Sequence, residues 1–261
     1  MMDESLITSA VRFFPLWSKL AYLDVGLRFR RSALGVLWLV IPSLAFAFGA
    51  GYVWAQLFHQ PMEEFIPFIA LGFAAWGYIS GAFVEGASTF TNAQGYIRQV
   101  AIPLSVFVYR TSATQTLYFL IAFSVGLITV FVFRPFHPIG YLLATGGLLL
   151  TVVFGFAVVS VSAYLGARFR DFAPAMQSLF QLLFVLTPVI YPARILEERG
   201  LGLVAQLNPF AALIEIVRTP LVTGEAASPV YYVTAAAMTL GMILLGVLLH
   251  RLWSKKVVYW L

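Results

Sequence analysis

The stretch Leu142-Leu-Ala-Thr-Gly-Gly-Leu-Leu-Leu-Thr-Val-Val-Phe-Gly-Phe-Ala-Val-Val-Ser-Val161 decides the architecture. It runs for 20 residues without a charge, long enough to cross roughly 30 Å of hydrocarbon as a helix. Apolar and polar residues do not alternate along it, which argues against the strands of a transmembrane barrel. Working outward, comparable segments fall at 34–58, 65–91, 104–133, 139–167, 173–192 and 229–250. They predict an all-α polytopic membrane protein with six transmembrane helices in one domain, 1–261. The whole chain agrees: 61% of its 261 residues are hydrophobic and 10% charged, with a mean hydropathy of +0.90, beyond what a soluble surface carries.

The few charges set the topology. If the N-terminus is cytoplasmic, that side receives Arg12, Lys19, Arg28, Arg30, Arg31, Arg98, Arg110, Arg168, Arg170, Arg251, Lys255 and Lys256, which is 12 of the 16 basic residues. Only Arg134, Arg194, Arg199 and Arg218 lie on the other side, and the bias predicts cytoplasmic N- and C-termini. The net charge of +5 then points to anionic lipid headgroups rather than to nucleic acid. No cleavable signal peptide is expected, because the first apolar stretch has no small-residue cleavage site.

Two segments fit no simple span. Residues 5–24 place Ala10, Phe13, Trp17, Leu20 and Ala21 on one helical face and Arg12 and Lys19 on another, the pattern of an amphipathic helix in the membrane interface. With the basic stretch that follows, it forms a unit over 5–31, read either as a substrate-receiving element or as a plain juxtamembrane anchor. Residues 193–224 are too polar to span lipid and too apolar for a loop. They predict a re-entrant helical hairpin on the outer side, sheltered by protein or lining water. Within it Glu215 and Arg218 can pair on one helix face, either neutralising each other or meeting substrate.

Reactive groups are scarce. With Cys 0, thiol chemistry and cysteine metal sites are excluded. His59, His137 and His250 are isolated near predicted boundaries, so no metal pair is expected. No Gly-Lys pair occurs, so this chain lacks an ATPase phosphate loop. The spans hold few ionisable residues, chiefly Glu85 and Arg110, which argues against ion coupling. They offer aromatic surface instead. Phe73, Trp76, Ser80, Phe83, Ala87 and Phe90 form a stripe on the second span. Trp38, Ala45, Phe48 and Tyr52 follow similar steps on the first, and Gln177, Gln181, Phe184, Pro188 and Tyr191 on the fifth. Such faces can stack on sugar rings, or they can face lipid and fill the bundle. Gly49, Gly51, Gly72, Gly77 and Gly81 are expected at close helix contacts.

Before the first span the chain reads Asp24-Val-Gly-Leu-Arg28-Phe-Arg30-Arg31-Ser32-Ala-Leu34-Gly35-Val-Leu37-Trp38, with Pro42 beyond. This resembles the membrane (permease) subunit of type-2 ABC transporters that export bacterial surface polysaccharides. The likeness continues at Asn92-Ala-Gln94-Gly-Tyr96-Ile-Arg98-Gln-Val100-Ala-Ile-Pro103, at Arg168-Phe-Arg170-Asp171-Phe172, at Thr187-Pro188-Val-Ile-Tyr191-Pro192, and at Leu207-Asn208-Pro209-Phe210 followed by Arg218. One departure is Gln99 to Pro103, where many relatives carry a further basic residue and an aromatic.

The resemblance implies the type-2 ABC exporter fold and a homodimer with a pore between two copies of this chain. It also implies two copies of a cytoplasmic ABC ATPase, which bind the ATP and Mg; no cofactor is expected in this chain. Tyr96, Arg98, Arg170, Asp171 and Phe172 would couple to the ATPase, although positive-inside topology alone accounts for the arginines. Arg28, Arg30 and Arg31 would receive a lipid diphosphate. Trp38, Tyr52, Phe73, Trp76, Phe83 and Phe184 would line the polysaccharide path, and Asn208, Pro209, Glu215 and Arg218 would form an outer gate. The expected substrate is a lipid-linked polysaccharide, first of all undecaprenyl-diphosphate-linked O-antigen, moved across the bacterial inner membrane as a step of lipopolysaccharide biosynthesis. Capsular polysaccharide, teichoic acid, and small drugs or lipids are the alternatives within transport. A scaffold without a conduit is the alternative outside it, and no convergent catalytic pair supports an enzyme.

Overall fold

The computed structural model describes residues 6–30, 32–100, 102–193, 200 and 208–261. Arg31 therefore lies outside the described residues, as do Arg194, Glu197, Glu198 and Arg199 of the expected hairpin. Every regular element among the described residues is helical. In chain order they are α1 (Leu6–Arg12), α2 (Phe14–Arg28), α3 (Leu37–Leu57), α4 (Met62–Ala87), α5 (Thr89–Asn92), α6 (Gln94–Gln99), α7 (Leu104–Phe133), α8 (Pro138–Arg168), α9 (Phe172–Leu186), α10 (Pro209–Thr223), α11 (Pro229–Trp253) and α12 (Val257–Trp260).

Five of these, α3, α4, α7, α8 and α11, are long and apolar enough to cross a membrane. The expected span at 173–192 is corrected. Helix α9 has 15 residues, about 22 Å at the usual rise, short of the hydrocarbon thickness. It stops because Pro188 disfavours helical backbone at the residue before it, and Thr187 is extended at φ −92°, ψ 136°. Smaller corrections follow the same logic. The expected second span, 65–91, ends at Ala87 and resumes as the separate turn α5. The single interface helix of 5–24 is two helices broken at Phe13, the second reaching Arg28.

The expected interfacial face is present, with Ala21 buried and Arg12 and Lys19 exposed, but it packs on α7. The Asp24 carboxylate accepts two hydrogen bonds from Arg110 of α7, from Nε at 2.6 Å and Nη2 at 2.5 Å. This paired geometry fixes orientation as well as charge.

Helix α4 is the centre of the bundle. In its most apolar window 72% of residues are buried, against 17% in α3, and it packs on α3, α7, α8, α9 and α10. Backbones approach closely where glycine permits. A Cβ on Gly166 of α8 would come 2.0 Å from the Ala87 carbonyl oxygen, whereas one on Gly146 would meet nothing within 4 Å. Gly166→Ala is expected to destabilise by about 1–3 kcal/mol through overpacking, less the gain in helix propensity of up to ~1 kcal/mol. Gly146→Ala is expected to keep only that gain. Thermal unfolding midpoints of the two variants, moving in opposite directions, check this.

Helix α10 is the described part of the expected hairpin. Its limits follow from local chemistry. Asn208 Oδ1 accepts from the backbone N–H of Phe210 and Ala211, Pro209 opens the first turn, and Gly224 ends the helix at φ +80°. It is not a polar loop element. Ala211 through Arg218 are all buried, packed on α8, α11 and α4.

Candidate functional site

Helices α3, α4 and α9 enclose an open groove of about 610 Å³. Helix α4 contributes Phe73, Trp76, Gly77, Ser80 and Glu85, helix α9 contributes Gln177, Phe180, Gln181 and Phe184, and α3 contributes Phe46. The rings contact one another. Phe46 stacks on Phe73 with centroids 4.1 Å apart, and Trp76 lies 5.5 Å from Phe180 and 5.8 Å from Phe184. Glu85, toward the α2 end, is the only ionisable residue among the described lining. Away from Glu85 the wall is thus aromatic and neutral, with Ser80, Gln177 and Gln181 as its hydrogen-bonding groups. It can hold a polar, uncharged chain without fixing it by charge.

The structure brings Phe73, Trp76 and Phe184 of the expected sugar path together in this groove. Phe83 sits behind it, 9% exposed and 4.9 Å from Phe180. Trp38 and Tyr52 are more than half exposed and are absent from the described lining. Phe46, the first residue of a π-helical turn over Phe46–Ala50, lines the groove instead. An extra residue in one turn rotates everything after it, so a stripe counted at α-helical steps loses register. Pro42, inside the same helix, was the available signal. Phe180 and Phe210 were also missed. Phe210 meets Trp76, Phe83 and Phe180 edge-on or tilted from across the bundle, a juxtaposition that no local pattern announces.

A second hollow, of about 250 Å³, lies between α2, the α4–α5 junction and α7. The Asp24–Arg110 pair forms part of its wall, and Arg28 stands at 5.1 Å over the Tyr118 ring. Arg30 is exposed on the connection that follows. Glu85 lines this hollow as well as the groove.

At the same end of the bundle the two expected coupling segments meet. Phe90 of α5 packs edge-on against Tyr164 of α8 at 5.2 Å. Gln94, Arg170, Trp260 and Leu261 line one surface hollow of about 280 Å³. The Gln94 amide donates to the Leu261 carbonyl, and Arg168 lies 5.4 Å over the Trp260 ring. Tyr96, Arg98, Arg170 and Asp171 are exposed and Phe172 is half-buried. The C-terminal turn thus straps the two segments together, a contact that the sequence reading missed because its 167-residue separation has no periodic trace.

The residues expected at an outer gate form a buried lock. The Asn208 amide donates to Thr187 Oγ1 at 2.9 Å. Arg218, 1% exposed, donates to the carbonyls of Pro188 at 2.8 Å and Val189 at 3.1 Å, pairs with Glu215, and lies 3.6 Å over the Phe68 ring. Thr219 donates to the other Glu215 oxygen at 2.6 Å. Arg218 thereby satisfies carbonyls left open where α9 breaks. Gly72 of α4 leaves room for this, since a Cβ there would come 2.7 Å from the Val189 oxygen and 2.8 Å from Arg218 Nη1.

No protein-family model matches the chain. It is similar to the O-antigen export system permease protein RfbA of Klebsiella pneumoniae, 23% identical over 237 residues that cover 87% of this chain and 90% of that protein. A second RfbA from that organism is 22% identical over 87% of this chain and 90% of its own length. The RfbA permease of Myxococcus xanthus is 25% identical over 215 residues, covering 80% and 81%. The likeness runs through most of each chain and supports the permease resemblance carried by the motifs.

Proposed function

We propose that the chain is the transmembrane subunit of an ATP-driven exporter that moves a lipid-linked O-antigen across the bacterial inner membrane. The observation that carries this reading is the near-whole-length similarity to O-antigen export permeases in a chain whose central helix presents an aromatic groove. In this reading both termini are cytoplasmic, so α1, α2 and the α5–α6 turns lie at the inner leaflet. Two copies face each other across their grooves to form the conduit, and two copies of an ABC ATPase dock at Tyr96, Arg98, Arg170, Asp171 and Phe172. The chain supplies no ATP site of its own. Its work is mechanical: motion delivered at the docking segments travels along α4 and α8, which run from those segments through the core. Arg28, Arg30 and Arg31 receive the anionic diphosphate, and sugars advance past Phe73, Trp76 and Phe184. The α9–α10 lock holds the outer half of the path in shape.

Deleting the chain and fractionating the cells tests the reading. The expected result is lipid-linked polymer accumulating on the cytoplasmic side and a loss of O-antigen from the surface. An unchanged surface glycan overturns it. Loss of a capsule or a wall teichoic acid instead would keep the exporter and change its cargo.

A further inference from the structure

The hollow between α2, the α4–α5 junction and α7 has a lining unlike that of the aromatic groove beside it. Asp24 and Arg110 pair with each other, and among the described residues Arg28, which lies over the Tyr118 ring, and Glu85 have no ion-pair partner. The remaining polar side chains of the described lining are hydroxyls and carboxamides: Thr89, Thr111, Thr114, Tyr118, Asn92 and Gln115. Thr89 is 4% exposed, and its Oγ1 has no hydrogen-bond partner among the described residues. A buried hydroxyl left unmatched costs stability, so native structures nearly always match it. Threonine on a helix has two accessible χ1 rotamers, and rotation reorients this oxygen at the wall of the hollow.

We propose that this hollow is a sugar-ring subsite, which takes one neutral pyranose ring of the exported glycan before the polymer enters the groove. The proposal rests on the export reading above. Three observations carry it. First, carboxamides and hydroxyls both donate and accept, as do the vicinal hydroxyls of a sugar, whereas a phosphate only accepts. The four charged groups of the described lining sum to zero, and the Glu85 carboxylate opposes an anion inside. Second, about 250 Å³ falls below the roughly 300 Å³ at which drug-sized sites begin, which suits a single ring and not a polymer. Third, the hollow leads to the groove. Glu85 lines both. A smaller cavity shares Gln115 and Tyr118 with the hollow and Phe73 and Gly77 with the groove. Arg28, exposed at the rim, is then placed for the diphosphate while the attached ring occupies the interior.

The test uses the full chain with its ATPase in lipid nanodiscs and saturation-transfer NMR. Glucose, galactose and N-acetylglucosamine serve as separate probes, with inorganic pyrophosphate as the counter-probe. At least one sugar is expected to receive saturation. Thr89→Val and Gln115→Leu are each expected to cut that signal threefold or more, with the Thr89→Val melting midpoint unchanged or raised because only an unmatched hydroxyl has gone. If no sugar receives saturation, or if the signal ignores both substitutions, the subsite is wrong. A pyrophosphate signal that depends on Thr89, without a sugar signal, assigns the hollow to phosphate and also overturns it. Surface glycan in a deletion strain separates the two readings. If the wild-type chain restores it while the hollow binds no sugar, only the subsite fails. If the wild-type chain does not restore it, the export reading fails and the subsite with it.

Discussion

Arg218→Met lowers the stability of the chain by about 3–5 kcal/mol, the usual loss when one partner of a buried ion pair is removed. The substitution strands Glu215, whose side chain is 10% exposed, with only the Thr219 hydroxyl against its charge among the described residues. It also strips the Pro188 and Val189 carbonyls of their donor and removes the cation from the Phe68 ring. Neutralising the carboxylate as well isolates the electrostatic part. Arg218→Met with Glu215→Gln is expected to recover more than half of the loss, since a buried pair can often be replaced by neutral groups at little net cost. The four proteins of this cycle, measured by thermal unfolding and by yield of folded protein, give the coupling directly. A single Arg218→Met variant within about 1 kcal/mol of the parent would refute the lock, because no buried charge could then have been left unpaired.

Gly77→Trp is expected to abolish export while the protein stays folded. Gly77 is exposed, lines the groove, and has nothing within 4 Å of where a Cβ would stand. An indole there would project into the groove that Phe73, Ser80 and Gln181 also line. Gly77→Ala is the control. It adds one methyl group, gains up to ~1 kcal/mol of helix propensity, and is expected to leave export within about twofold of the parent, the volume added being small beside a drug-sized site. Surface glycan together with the unfolding midpoint checks both. Export that survives Gly77→Trp with the fold intact places the conduit elsewhere. This glycine was expected at a close helix contact. Gly72, Gly51 and Gly81 do meet neighbours, at 2.7, 3.2 and 2.9 Å, but Gly77 and Gly49 face open space. Small size is compatible with a tight crossing or with a vacancy, and sequence does not separate them.

Much of the fold was legible because long apolar runs have few alternatives in lipid. The runs at 104–133 and 139–167 correspond to α7 and α8 within a residue, since each is bounded by proline or charge. The stop of α9 was announced by Pro188, yet its apolar continuation to Tyr191 read as a span. Hydropathy reports partition and not backbone continuity, and the broken backbone is tolerated because Arg218 shelters its carbonyls inside protein. The aromatic stripe of α4 was readable from its steps of three and four. The groove was not, because it also needs Phe46 and Phe180, each from a helix that only packing sets alongside.

Sequence alone therefore determined that the chain is built of long apolar helices, where five of them fall, where its basic residues cluster, and that its apolar interior is rich in aromatic rings. These follow from transfer free energy and local backbone preference, which each residue carries with it. Tertiary structure decided which rings face a groove, which glycines are crossings, that Asp24 and Arg110 hold the N-terminal helix on the bundle, and that Glu215 and Arg218 are a lock between α9 and α10. Those outcomes depend on which distant surfaces meet and on the few ångströms between them, and no residue encodes that by itself.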